Sequence, residues 1–249
     1  MERYIQMDFG YAYNLAGHLK KKILENNQDD YILDFIDLDL EKAVKPNTNT
    51  ILHTYIKNEL FFEIEYIGQK GDPDTLAPEW ESLLKAYKCK IKKKKKKSSE
   101  YIHYLEHEIK KYLIPKIANE TFQLLFGDRM FCLSFNKLIA DYIKDLKTED
   151  FPAYLKSDGK VKRCSYFPTW VQKAVFLRDR GCCAICLNDL SGLLKTDFNK
   201  ELDHIVPLNL GGVNDISNLQ LLCKKCNNKK LGNKIITSKF YPVYFPVEI

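Results

Sequence analysis

The chain has no run of about 18 uninterrupted apolar residues, the length a membrane-spanning helix needs. Its opening, Met1-Glu2-Arg3-Tyr4-Ile5, is not a basic stretch followed by an apolar run. These absences lead us to expect no membrane span, no secretory leader and a soluble, cytoplasmic protein. Eight cysteines in 249 residues are too few for a small disulfide scaffold. An excess of charge of either sign is missing from most of the chain. Of 39 Lys+Arg and 33 Asp+Glu, 13 and 7 lie from Val161 onward, which leaves 26 of each before it. The net charge of +6 therefore belongs entirely to the C-terminal part. Such a distribution fits a polyanion-binding module, and it equally fits a solvated basic surface.

What is present suits one large domain or two modest ones. Hydrophobic residues make up 45% and aromatics 12%, enough for ordinary cores. Ile5, Phe9, Ala12, Ala16 and Leu19 recur at helical spacing and predict a helix over 4–26. Tyr31–Leu40 reads as a strand or short helix. Ile51–Leu60 reads as a helix, and Leu60–Ile67, with alternating Glu63 and Glu65, as a strand. Glu63-Ile64-Glu65 lacks the lysine of a Glu-x-Lys metal site, so no chemistry is assigned there. Helices are expected over Pro78–Cys89, over Tyr101–Asp128 with a break or kink at Pro115, and over Met130–Lys147. Lys92–Lys97 is a self-repelling exposed loop that could touch phosphates. His103 and His107 are spaced i, i+4 but without the His-Glu-x-x-His order, and read as a polar helix face. Thr148–Val161 changes character, and its Glu149–Pro152 and Ser157–Lys160 segments are expected to be a linker.

Five of the eight cysteines fall within Cys182–Cys226. Cys183-x-x-Cys186 and Cys223-x-x-Cys226, separated by 36 residues, offer the two tight thiolate pairs that tetrahedral Zn²⁺ favours. Cys182 leaves a second pairing with Cys186 open, although the matched two-residue spacing favours Cys183. Before the first pair, Pro168–Arg180 should be a helix whose shared face carries Trp170, Ala174 and Leu177. Between the pairs, Asp203-His204 ends an apolar-polar strand, and Pro207 with Gly211-Gly212 turns the chain back. His204 is the only histidine after His107. A neutral imidazole can take a proton from water near pH 7, and an adjacent carboxylate can hold a hard divalent ion. Asn227, on a following helix, offers an amide oxygen as a second neutral ligand, and Lys230 lies one turn further on. Phe240–Pro246 should pack as an extended aromatic strap.

Phe176–Gly181 before the first cysteine pair, Leu202-Asp203-His204-Ile205-Val206-Pro207, and Asn218-Leu219-Gln220-Leu221-Leu222-Cys223-x-x-Cys226-Asn227 together resemble the HNH endonucleases of the ββα-metal fold. The resemblance spans about Pro168 to Lys234. The last motif residue, often His in that family, is Asn227 here, a His-Asn-Asn variant also seen in the HNH domains of RNA-guided nucleases. The resemblance implies that His204 is the general base, that Asp203 and Asn227 hold a catalytic Mg²⁺ or Mn²⁺, and that Asn218 ties the loop to the hairpin and orients His204. It further implies 5′-phosphate and 3′-hydroxyl products, and stand-alone proteins of this build resemble nucleases of restriction and anti-phage defence. Lys230, Arg178 and Lys229 are the candidate phosphate contacts.

The expected architecture is α+β. A mainly helical N-terminal domain with a small sheet (1–150) precedes a linker (151–162). A C-terminal ββα-metal HNH domain stapled by zinc (163–249) follows. The substrate is expected to be double- or single-stranded DNA. The N-terminal domain is expected to supply recognition, homo-oligomerisation or docking to a regulatory partner such as an ATPase. The alternative is a zinc-ribbon module that binds nucleic acid or protein without cutting.

Overall fold

A computed structural model describes residues 7–25, 38–91, 99–192 and 200–243. The lysine run 92–97, most of the 31–40 segment and the last residues of the strap lie outside these ranges. In chain order the elements are α1 (Gly10–Glu25), α2 (Leu40–Val44), α3 (Ile51–Lys70), α4 (Pro73–Ala86), α5 (Ser99–Glu108), a π-turn (Ile109–Leu113), α6 (Ile114–Phe126), α7 (Arg129–Lys144), β1 (Leu155–Ser157), β2 (Lys160–Val161), α8 (Thr169–Arg178), β3 (Lys200–His204), β4 (Leu219–Cys223) and α9 (Lys224–Lys230). The structure is mostly helical with two small two-stranded sheets, β1–β2 and β3–β4. Two compact units form: Met1–His18 with His53–Leu124, and Leu19–Leu52 with Leu125–Ile249.

The first unit is built on apolar helix faces. Tyr55, Ile56, Leu60 and Ile64 are buried one turn apart on α3, while Phe62 and Tyr66 point outward. The strand expected over Leu60–Ile67 is therefore a continuation of this helix. Leu60 and Ile64 satisfy a four-residue repeat, and the alternation of Glu63 and Glu65 is incidental to it. Asp72 caps α4 by accepting from the Thr75 N–H at 3.2 Å, with Pro73 suited to the first turn. The break expected at Pro115 is a π-turn just upstream, where the Ile114 N–H reaches back to the Ile109 carbonyl. A proline there gives no N–H to the preceding turn, which favours this local rewinding. His103 is exposed beside Glu106 at 3.7 Å and belongs to no metal cluster among the described residues.

The second unit carries the two cysteine pairs and the Asp203-His204 doublet. The Asp128 carboxylate caps α7 by accepting from Met130 and Phe131 at 2.9 and 3.1 Å. Within the segment expected to be a linker, β1 and β2 form an antiparallel hairpin that buries Leu155 and Val161. Helix α8 buries Val171 and Val175 against the β4 side, leaving Trp170 38% and Leu177 63% exposed. The expected Trp170–Leu177 face is thus not the packed one. The buried carboxylate of Asp179 joins three elements. It accepts from Arg129 Nη1 at 3.1 Å, from Arg178 Nε at 2.9 Å and Nη2 at 3.0 Å, and from the Leu221 N–H at 2.8 Å. Removing one partner from such a network leaves a buried charge uncompensated, so the network specifies one geometry. The strap joins it. Tyr241 lies against the Arg129 guanidinium at 3.9 Å, accepts from the Arg129 N–H at 2.8 Å and donates to the Gly127 carbonyl at 2.9 Å.

Candidate active site and zinc centre

The two cysteine pairs arrive from different elements. The first sits in a knuckle after α8, which docks on β4 through the Ala184 N–H to the Leu221 carbonyl at 2.8 Å. The second closes β4 and opens α9, where Cys223 Sγ accepts from the Cys226 N–H at 3.4 Å. The four Sγ atoms lie within 4.8 Å of one another, and Cys186 and Cys223 are 3.8 Å apart. Four thiolates about 2.3 Å from one Zn²⁺ form a tetrahedron with edges of about 3.8 Å, so the cluster fits the ion. Electrostatics agree. Burial and the sulfurs of Cys186 and Cys223 push the Cys226 thiol up. At Cys183, burial is outweighed by N–H groups of Cys186, Cys223 and Ile185, which hold the thiol down. Sulfurs this close cannot all be ionised without a cation between them. Cys182 is excluded from the cluster. It bridges through its backbone to Asp189, and burial raises its thiol.

The hairpin β3–β4 is antiparallel, with Asp203 opposite Gln220 and His204 opposite Leu219. Alternate strand residues face opposite sides, so the adjacent Asp203 and His204 diverge. Glu201 and Asp203 face α9. There the Asn227 amide donates to Glu201 Oε2, and Lys230 Nζ donates to Asp203 Oδ2 at 2.6 Å and to the His204 carbonyl. Gln220 Nε2 adds a bond to Asp203 Oδ2 at 3.0 Å. Among the described residues, Oδ1 of Asp203 and Oδ1 of Asn227 accept no hydrogen bond. Both are oxygens of the kind that a hard divalent ion takes as ligands.

His204 faces the other way and is 6% exposed. Its Nε2 lies 3.0 Å from Asn214 Oδ1, and its ring is 6.0 Å from that of Phe167. Burial lowers its pKa to about 4, so the imidazole is neutral at pH 7. A neutral ring has a lone pair available to take a proton.

The loop between the strands is largely buried although its only regular structure is two short 3-10 turns, Leu208–Leu210 and Ile216–Asn218. Asn218 explains this: its Oδ1 accepts from the Val206 N–H at 2.8 Å, and its Nδ2 donates to the Val206 and Val213 carbonyls, each at 2.9 Å. Gly211 sits at φ 85°, and a Cβ on Gly212 would lie 1.9 Å from the Val206 carbonyl oxygen. No side chain fits at Gly212. Asn218 thus closes the loop, while the side chain that meets the His204 ring is Asn214. Its place in Gly211-Gly212-Val213-Asn214, just past the turn, was the available signal.

The three candidate phosphate contacts separate. Arg178 is buried, committed to Asp179 and to the Leu219 carbonyl at 2.6 Å, and stacked on Phe126 at 4.8 Å. Lys230 is 1% exposed, and burial lowers its pKa against the opposing pull of Asp203. Neither can reach a phosphate from these positions. Lys229 is exposed. Beside the hairpin, a cleft of about 650 Å³ is lined by Phe167, Phe176 and Leu202, with Arg163, Lys173 and Lys200 among its cations.

A sequence profile described as HNH endonuclease matches residues 183–231. The C-terminal region carries an HNH endonuclease domain. The match runs from the first zinc-pair cysteine to the end of α9 and so encloses the whole hairpin. An HNH domain points to a nuclease-type function with DNA as substrate, and its four-cysteine cluster could hold a structural zinc ion. Comparison with curated proteins and with solved structures gives no significant match. No helix among the described residues is long and apolar enough to cross a membrane.

Proposed function

We propose that this protein is a metal-dependent endonuclease that hydrolyses DNA phosphodiester bonds. The observation that carries this reading is a buried, neutral His204 next to Asp203 on one strand, inside an HNH domain. His204 takes the proton of the attacking water. Asp203 and Asn227 are the residues that would hold a divalent ion, whose chemistry is Lewis-acid stabilisation of the scissile phosphate and the departing oxygen. Asn218 keeps the loop closed so that the doublet stays in register. The cations of the neighbouring cleft favour a polyanion there, and such binding weakens steeply with salt.

A second reading is favoured by one contact. Lys230 already neutralises one oxygen of Asp203, which suits a zinc module that binds nucleic acid without cutting. The two readings part on a metal titration. Purified zinc-loaded protein should nick supercoiled DNA with Mg²⁺ or Mn²⁺, and Asp203→Ala and Asn227→Ala should each need far more metal. A wild-type protein that binds DNA and cuts none with either ion would favour the second reading.

A further inference from the structure

The amide of Asn214 is wholly buried, and its orientation is forced by its neighbours. Nδ2 lies 2.8 Å from the Lys162 carbonyl, 3.0 Å from that of Val44 and 3.3 Å from that of Ala43. Carbonyl oxygens only accept, so turning the amide over would set an oxygen against three oxygens. On the other side, the Cys164 N–H is 3.2 Å from Oδ1 and can only donate. Oδ1 is thereby fixed as the atom that meets His204 Nε2 at 3.0 Å. An acceptor at that position requires the proton on Nε2, which leaves the lone pair on Nδ1.

We propose that Asn214 is a positioning residue that holds His204 in the tautomer with Nδ1 free to take a proton. The assignment deepens the reading of His204 as the base and rests on it. It also makes the Ala43–Val44 segment part of the catalytic apparatus. The Asn214 N–H bonds the Ala43 carbonyl at 2.8 Å, and the next residue, Asp215, accepts from the Ile51 N–H at 3.0 Å. Both ends of the 43–51 stretch are thus gripped by two adjacent residues of the loop that follows His204. Losing Asn214 frees the ring to rotate and to change tautomer.

The test is histidine-side-chain ¹⁵N NMR on the full-length zinc-loaded protein at neutral pH, with His204 assigned by comparison with His204→Gln. The expected spectrum shows one tautomer, with Nε2 protonated and Nδ1 bare. In Asn214→Ala the two tautomers should mix, and kcat should fall at least about 10-fold, toward the roughly 10,000-fold loss of a catalytic histidine held in the wrong tautomer. KM should stay within about twofold, because substrate binding is untouched. A wild-type ring protonated on Nδ1 would overturn the proposal. So would an Asn214→Ala protein that keeps both the single tautomer and full kcat. If Asn214→Ala does not fold, the wild-type spectrum decides alone. A protein with the expected tautomer that cuts no DNA would sink the nuclease reading and leave the Asn214–His204 assignment standing.

Discussion

The two units make their interiors by different means. Along Tyr55–Ile64 and across α4 to α6, apolar side chains at helical spacing do the work. Where polar groups are buried, as with Glu81 accepting from the Tyr101 hydroxyl at 2.7 Å, they are few. The stretch from Asn214 to Gln220 is a short 3-10 turn (Ile216–Asn218) leading into β4, and its Asn214, Asp215, Ser217, Asn218 and Gln220 are fully buried. Apolar packing tolerates repacking, whereas a satisfied polar network admits one arrangement. The difference shows where geometry is specified: at the loop and hairpin that carry Asp203 and His204, and much less along the helices.

The comparison breaks most clearly at the zinc centre. Chelation, or Cys223→Ser, should remove on the order of 10 kcal/mol of folding energy from the HNH region. Circular dichroism should show the helical signal of the first unit outlasting it. Loss of both units together would show that they are not separable in this way. Next in size is Lys230→Met, which strips the partner from a mostly buried Asp203. We expect about 3 kcal/mol of destabilisation in urea unfolding, and a change below about 0.5 kcal/mol would mean the pair is solvent-relaxed.

Asn218→Ala orphans the Val206 N–H and two carbonyls, at about 1–3 kcal/mol for a buried group left without its partner. The equivalent probe of the helical unit, Phe62→Ala at an exposed site, should cost far less in the same assay. Equal costs would erase the contrast. The smallest effect is expected at Lys229→Ala. Stability should stay within about 0.5 kcal/mol. DNA affinity should drop for all sequences alike, with the salt slope reduced by about one.

Legibility in the sequence followed the same division. The zinc pairs, the Asp203-His204 doublet and the Gly211-Gly212 turn lie close along the chain, and local spacing alone brings each together. The fate of Arg178 and Lys230 was not legible, because composition marks a cation but not its burial. Asp179 follows Arg178 in the chain, but the Leu219 carbonyl that also holds Arg178, and the Asp203 carboxylate and His204 carbonyl that hold Lys230, become neighbours only after the hairpin and α9 have packed. Asn214 was missed for a stronger reason: two of its acceptors, Ala43 and Val44, lie about 170 residues earlier. The Leu60–Ile67 helix was misread because the four-residue spacing of Leu60 and Ile64 satisfies both a two-residue and a four-residue repeat. Alternation did contain one unread consequence, that neighbours on a strand diverge, which sends Asp203 toward α9 and His204 toward Asn214.

The central claim is that His204 is the base of a nuclease, and cleavage by His204→Ala at matched zinc content tests it most directly. With supercoiled DNA and Mg²⁺ or Mn²⁺, the account predicts a loss of at least about 100-fold in a protein that is still folded and carries a full complement of zinc. Undiminished cutting by a folded, zinc-loaded His204→Ala protein would contradict it.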